Sequence, residues 1–142
     1  MNPSGISLLL LRLALSYVWL TAGVSKLFNK QFINTFSETL HEFAKNTHYS
    51  FYTSILNDHI IPNSQIFAQL TIWGEILTGI AFLLGFPLFL AAAVGIFMNL
   101  NYYFVATTVP SQFLNLIMIF SQLAAYANSA GSFWGLSASL KK

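Results

Sequence analysis

The sequence predicts an all-α integral membrane protein: a four-helix bundle with an amphipathic helical segment between its first and second spans. Three observations carry this. Only 7% of the 142 residues are charged, six Lys or Arg against four Asp or Glu, while 56% are hydrophobic. Soluble domains average about 25% charged. Mean hydropathy is +0.64. Four stretches, about 6–28, 65–86, 87–107 and 111–128, approach the roughly 20 apolar residues that a bilayer core demands. The composition argues against a soluble domain, a nucleic-acid binder and a secreted disulfide scaffold. The net charge of +2 rests on too few groups to indicate a polyanion partner. Cysteine is absent, which removes thiol chemistry, iron–sulfur clusters and cysteine-ligated zinc from this chain.

The first span carries Arg12 and Lys26 and runs into Lys26 from Ala22, Gly23 and Ser25. It is longer than a signal-peptide core and charged within, so a retained helix is expected over a cleaved leader. Residues 29–64 place Phe32, Phe36, Leu40 and Phe43 at helical spacing, with Glu38, Glu42 and Lys45 off that stripe. That pattern predicts one or two amphipathic helices lying on the membrane surface or capping the bundle. Ile61-Pro62-Asn63-Ser64 is expected to supply the cap of the second span. Gly85-Phe86-Pro87 makes a tight turn into the third, and Thr107 to Ser111, with Pro110, does the same before the fourth. Such short connections make spans two to four antiparallel neighbours. Ala91 and Gly95 have the spacing of closely approaching helices, and Gly74 and Gly79 flank Glu75. The whole chain, 1–142, reads as one membrane domain. An even number of spans puts both ends on one side. Lys141 and Lys142 favour the cytoplasm for that side, although Lys30 and Lys45 lie on the opposite one.

Charge inside a span is costly and generally has a partner or a task. Glu75 lies near the middle of the second span, about 15 Å of helix from either surface, too deep to snorkel. In an antiparallel pair it falls between Arg12 and Lys26 in depth, so either cation is open to it as a partner. Snorkelling to the interface is the plainer reading of both cations, and a purely structural buried pair is the plainer reading of Glu75. Trp73 lies beside Glu75, Tyr17 and Trp19 lie in the first span, and Asn99, Asn101, Tyr102 and Tyr103 in the third. Asn115 and Gln122 follow in the fourth. Interhelical hydrogen bonding is the ordinary role for such amides. The sharper reading is a pocket with Glu75, Arg12 and Lys26 at its reactive end and Trp73, Asn99, Asn101 and Tyr17 as ligand contacts. It would suit a head group with two carbonyls, such as a quinone. His41, His48 and His59 all fall in 29–64 and read as surface histidines, so neither metal nor haem is expected. No HExxH, GxSxG or phosphate-binding glycine loop occurs.

These motifs together resemble the DoxX/DoxD family of small four-span membrane proteins. The first span, Leu10 to Leu27, has Arg12, Gly23 and Lys26 where the family has its arginine, glycine and lysine. Ile61-Pro62-Asn63 followed by Trp73-Gly74-Glu75 and Gly79 resembles the second-span signature, and Gly95 to Asn101 the third. Asn128 to Leu136 looks like the closing Ala-Gly…Gly-Leu-Asp, with Ser137 in place of the aspartate. The resemblance implies a thiosulfate:quinone oxidoreductase-like subunit with a quinone as ligand. It also implies Arg12, Lys26, Glu75 and Asn99 as functional positions. Partners would be the bilayer and other redox subunits or a second copy, with no nucleic acid. A non-catalytic assembly subunit is the alternative. A proton-linked carrier is disfavoured, because the two halves show no repeat.

Overall fold

The computed structural model describes residues 3–139. Among them there is no strand. The elements are α1 (Pro3–Phe28), α2 (Phe32–Asn46), α3 (Ser50–Ile55), α4 (Ser64–Leu84), α5 (Leu88–Val105), α6 (Val109–Ala127) and the short α7 (Leu136–Ser139). The four long helices α1, α4, α5 and α6 form the bundle, each packing on the next in that order, and α1 closes back on α6. Three of them are long and apolar enough to cross a bilayer by length and composition. The fourth, α6, has 19 residues and pairs along α5. Ser111, Gln112, Asn115, Ser121 and Gln122 interrupt its apolar run.

The pairing of α1 and α4 depends on two glycines. A Cβ on Gly79 would lie 2.7 Å from Leu20 Cγ and 2.9 Å from its backbone N. One on Gly23 would lie 2.7 Å from Ile76 Cγ1 and 2.9 Å from the Ile76 N. Backbones this close bring carbonyls within reach, and the Ser16 hydroxyl donates to the Gly79 carbonyl at 2.8 Å. On the far side of α1, the Trp19 indole N–H donates to Gln122 Oε1 at 3.1 Å. Leu15, Trp19, Phe82, Leu88, Ala91, Ala125 and Ala130 form the core around that bond. Outward, the helices present Leu, Ile and Phe side chains such as Leu10, Leu77, Phe97 and Phe120, as a lipid-facing surface does.

Helix ends follow the local chemistry with one exception. Gly85 takes the left-handed conformation (φ 69°) that ends α4, and the Thr108 side chain caps α6 by accepting from the Ser111 N–H. Asn63, expected as a cap, makes no side-chain cap bond. Its amide donates to the His59 carbonyl instead, at 2.9 Å. The reason is continuity: α3 runs through a π-turn (Leu56–Ile60) and a 3-10 turn (Ile61–Asn63) into α4, so no free helix start remains to be capped.

The segment 29–64 caps the bundle. The α2 stripe residues Phe36, Leu40 and Phe43 pack with Tyr52, Leu56 and Phe104, while Glu38, Glu42 and Lys45 stay exposed. Thr47 donates to the Phe104 carbonyl at 2.6 Å, and the Tyr52 phenol to Asn101 Oδ1 at 2.6 Å. Burial pushes that phenol up to about 12. At the opposite end the chain returns to its start, for the Arg12 guanidinium donates to the Trp134 carbonyl at 3.1 Å. Lys141 and Lys142, on which the orientation argument leans, lie outside the described residues.

Candidate functional site

A buried ion pair joins the end of α1 to the middle of α4. Lys26 Nζ donates to both oxygens of Glu75, at 2.9 and 2.7 Å. The Glu75 side chain is 1% exposed and that of Lys26 24%. A third group completes the cluster: the Tyr102 phenol of α5 donates to Glu75 Oε1 at 2.6 Å. The carboxylate thus receives three hydrogen bonds from two side chains on two other helices. Those bonds offset the desolvation that would otherwise forbid a carboxylate at this depth. The ammonium also lies 6.0 Å from the centre of the Phe32 ring, at the edge of cation–π range.

Register explains why Lys26 rather than Arg12 is the partner. The glycine contacts set Gly23 beside Glu75 and Ile76, which places Lys26 within one turn of the carboxylate and sends Arg12 to the other end. There Arg12 packs against Gly85 and Gly135. Glu75 is therefore not midway in depth between the two cations, because the glycine contacts do not centre α1 on α4.

Tyr102 connects the ion pair to a cleft. An open groove of about 480 Å3 runs between α2, the end of α5 and the start of α6, lined by Glu42, Asn46, Tyr102, Thr108, Ser111 and Asn115 among others. One wall is therefore polar, and Tyr102, whose phenol donates to Glu75, is among the lining residues.

The remaining residues singled out in the sequence lie elsewhere. Asn99 is buried and its amide donates to the Gly95 carbonyl at 3.0 Å. Asn101 is bound to Tyr52 and donates to the Phe97 carbonyl. Tyr17 is 71% exposed on the outer face. Trp73 lines a shallow apolar groove of about 420 Å3 with Ile33, Gln65, Ile66, Gln69 and Leu70. Of the seven, only Lys26 and Glu75 meet. Tyr102, which joins them, reads in the sequence as one aromatic among several near a span end, where a tyrosine ordinarily belongs to the interface. Its spacing relative to Glu75 carries no signal, because the two are on different helices. Among the described residues no group of three His, Asp or Glu is placed to hold a metal ion.

A family model described as DoxX matches residues 7–108, from early α1 to the turn after α5. No curated protein and no solved structure matches the chain.

Proposed function

The chain belongs to the DoxX family, and on that premise we propose that it is the membrane subunit of a quinone-linked oxidoreductase. A quinone-like head group would be held in the groove against Tyr102. One observation carries this reading. Tyr102 lines the groove on one side and donates to the buried Glu75–Lys26 pair on the other.

A quinone supplies a two-electron, two-proton couple; the electrons would come from a partner subunit, this chain having no cysteine to ligate an iron–sulfur centre. The residues supply the other half. The Tyr102 hydroxyl donates to Glu75, and by rotating toward the groove it would donate to a ligand carbonyl. Lys26 is the proton reserve behind it: its ammonium, bonded to both Glu75 oxygens, can pass a proton to the carboxylate as the phenol gives one up. Glu75 then serves as the relay, and burial keeps water from short-circuiting the transfer. The polar wall at Asn46, Thr108, Ser111 and Asn115 offers amide and hydroxyl donors for a second carbonyl.

The test is extraction and titration. Purified protein should carry quinone in its lipid fraction and bind a short-chain ubiquinone analogue. Tyr102→Phe should weaken that binding about tenfold, the worth of a lost hydrogen bond of roughly 1.4 kcal/mol. No quinone in the extract and no saturable binding would end the proposal.

A second reading, a structural or assembly subunit, draws support from the amides. Asn99, Asn101, Asn115 and Gln122 each donate to the carbonyl four residues back on their own helix. Under it Glu75→Gln disturbs folding or co-purification with partners and leaves quinone binding unchanged.

A further inference from the structure

The described residues hold a second buried charge that the site above does not use. Arg12 is 1% exposed. One of its nitrogens, Nη2, donates to the Trp134 carbonyl, but Nε and Nη1 are buried without a hydrogen-bond partner. A guanidinium in this position ordinarily meets an anion on its remaining donors. None of the chain's four acidic side chains serves. Glu75 is held by Lys26 and Tyr102 at the other end. Glu38, Glu42 and Asp58 are exposed in the capping segment, also at that end.

The surroundings of Arg12 are built from glycine. Cβ atoms on Gly85 or Gly135 would overlap Nη1, and one on Gly131 would overlap the Gly85 carbonyl. Two chain segments, the turn at Gly85 and the 129–135 turn, therefore converge on the guanidinium with bare backbone. The segment that closes over it, 129–135, holds two non-glycine residues in the left-handed region, Ser129 at φ 51° and Trp134 at φ 55°. Non-glycine residues are disfavoured there, so the closed turn carries backbone strain at these two positions. Its Trp134 carbonyl takes the donor that an anion would otherwise take.

We propose that Arg12 is a binding site for an oxyanion at the membrane face opposite the Glu75 cluster, and that the 129–135 turn is the flap that opens to admit it. The ligand is a phosphate-type oxyanion, which can accept from Nε, Nη1 and Nη2 together. It comes from solution as free phosphate or from the bilayer as a lipid headgroup. This proposal is independent of the quinone reading.

Ser137 supplies the test. Its hydroxyl donates to the Gly85 carbonyl at 2.6 Å, beside the glycine that contacts Arg12 Nη1. A carboxylate introduced there provides an internal counter-charge. Thermal unfolding is measured in neutral detergent with inorganic phosphate, against chloride at equal ionic strength. It is repeated in phosphatidylcholine nanodiscs with and without phosphatidic acid. In the wild type, saturating anion should raise the midpoint by about 3 °C. A rise with inorganic phosphate assigns the site to the soluble anion; a rise only with phosphatidic acid assigns it to the headgroup. Ser137→Asp should unfold at a higher midpoint without anion and lose the response, and Arg12→Gln should lose the response too. Equal responses in wild type and both variants, or no response in any medium, would overturn the proposal. Should Arg12→Gln fail to fold, Ser137→Asp alone decides.

Discussion

Removing the Lys26 ammonium should expose how much of the bundle depends on the α1–α4 ion pair. At contacts of 2.7 and 2.9 Å the gross attraction is roughly 6 kcal/mol at an effective dielectric constant near 20. Desolvation of Glu75 offsets most of it, so the net worth of the pair is small. Breaking it from one side is different. Lys26→Met leaves Glu75, 1% exposed, with Tyr102 as its remaining donor, and should destabilise the bundle by about 3 kcal/mol. Glu75→Gln should cost less, about 1–2 kcal/mol, because Lys26 is 24% exposed and can turn to the interface. Replacing both should cost only about 1 kcal/mol, for no buried charge is then left unpaired. The coupling is therefore about 3–4 kcal/mol. SDS titration in mixed micelles gives each value, with the fluorescence of Trp19, which is buried, as the probe of tertiary structure. Additive single and double variants would refute the reasoning, since they would mean that the two side chains do not meet.

Other consequences are open to simpler measurements. Tyr102→Phe removes a donor to a buried carboxylate and should lower stability by about 1.5–3 kcal/mol in the same titration; an unchanged midpoint would place the phenol elsewhere. Gly79→Ala puts a methyl against the Leu20 side chain and backbone. It should cost about 1–3 kcal/mol by forcing α1 and α4 apart, whereas Ala at Gly74, which meets only the flexible Met98 side chain, should cost less. Tyr52 has a raised folded-state pKa of about 12, so its contribution is complete below the unfolded value near 10 and fades as pH rises toward 12. Unfolding midpoints followed through that alkaline range should fall less steeply for Tyr52→Phe than for the wild type.

How much of this was legible in the sequence varies with the kind of information. Span ends were readable because the signals are local: Gly85 supplies a left-handed residue, and Thr108 with Pro110 makes a helix start. The α2 stripe was readable as well, since Glu38, Glu42 and Lys45 sit off the Phe32–Phe36–Leu40–Phe43 line and give the helix a dry side and a wet side. The bundle helices carry no such contrast. With apolar residues all round, nothing in the spacing of Tyr17 or Trp73 distinguishes a lipid face from an inner one, and both turn out to lie outward. The cost of charge in a membrane singled out Lys26, Glu75 and Arg12, but their pairing depends on the α1–α4 register. That register is set by Gly23 against Ile76 and Gly79 against Leu20, a tertiary fit. Tyr102 was out of reach for the same reason: its role depends on how α5 is rotated against α4. Asn63 shows the opposite failure, a sound local signal overridden because α3 continues into α4 through the π-turn.

The proposed quinone site lies in the groove beside Tyr102, next to the Glu75–Lys26 cluster. Photolabelling with an azido-quinone of short chain, followed by peptide mapping, tests it most directly. Labels should fall on the groove segments, around Glu42 to Asn46 and Tyr102 to Asn115, where unlabelled quinone displaces them and Tyr102→Phe weakens them. Labels spread over the outward residues such as Tyr17 and Trp73, or labels that unlabelled quinone fails to displace, would contradict it.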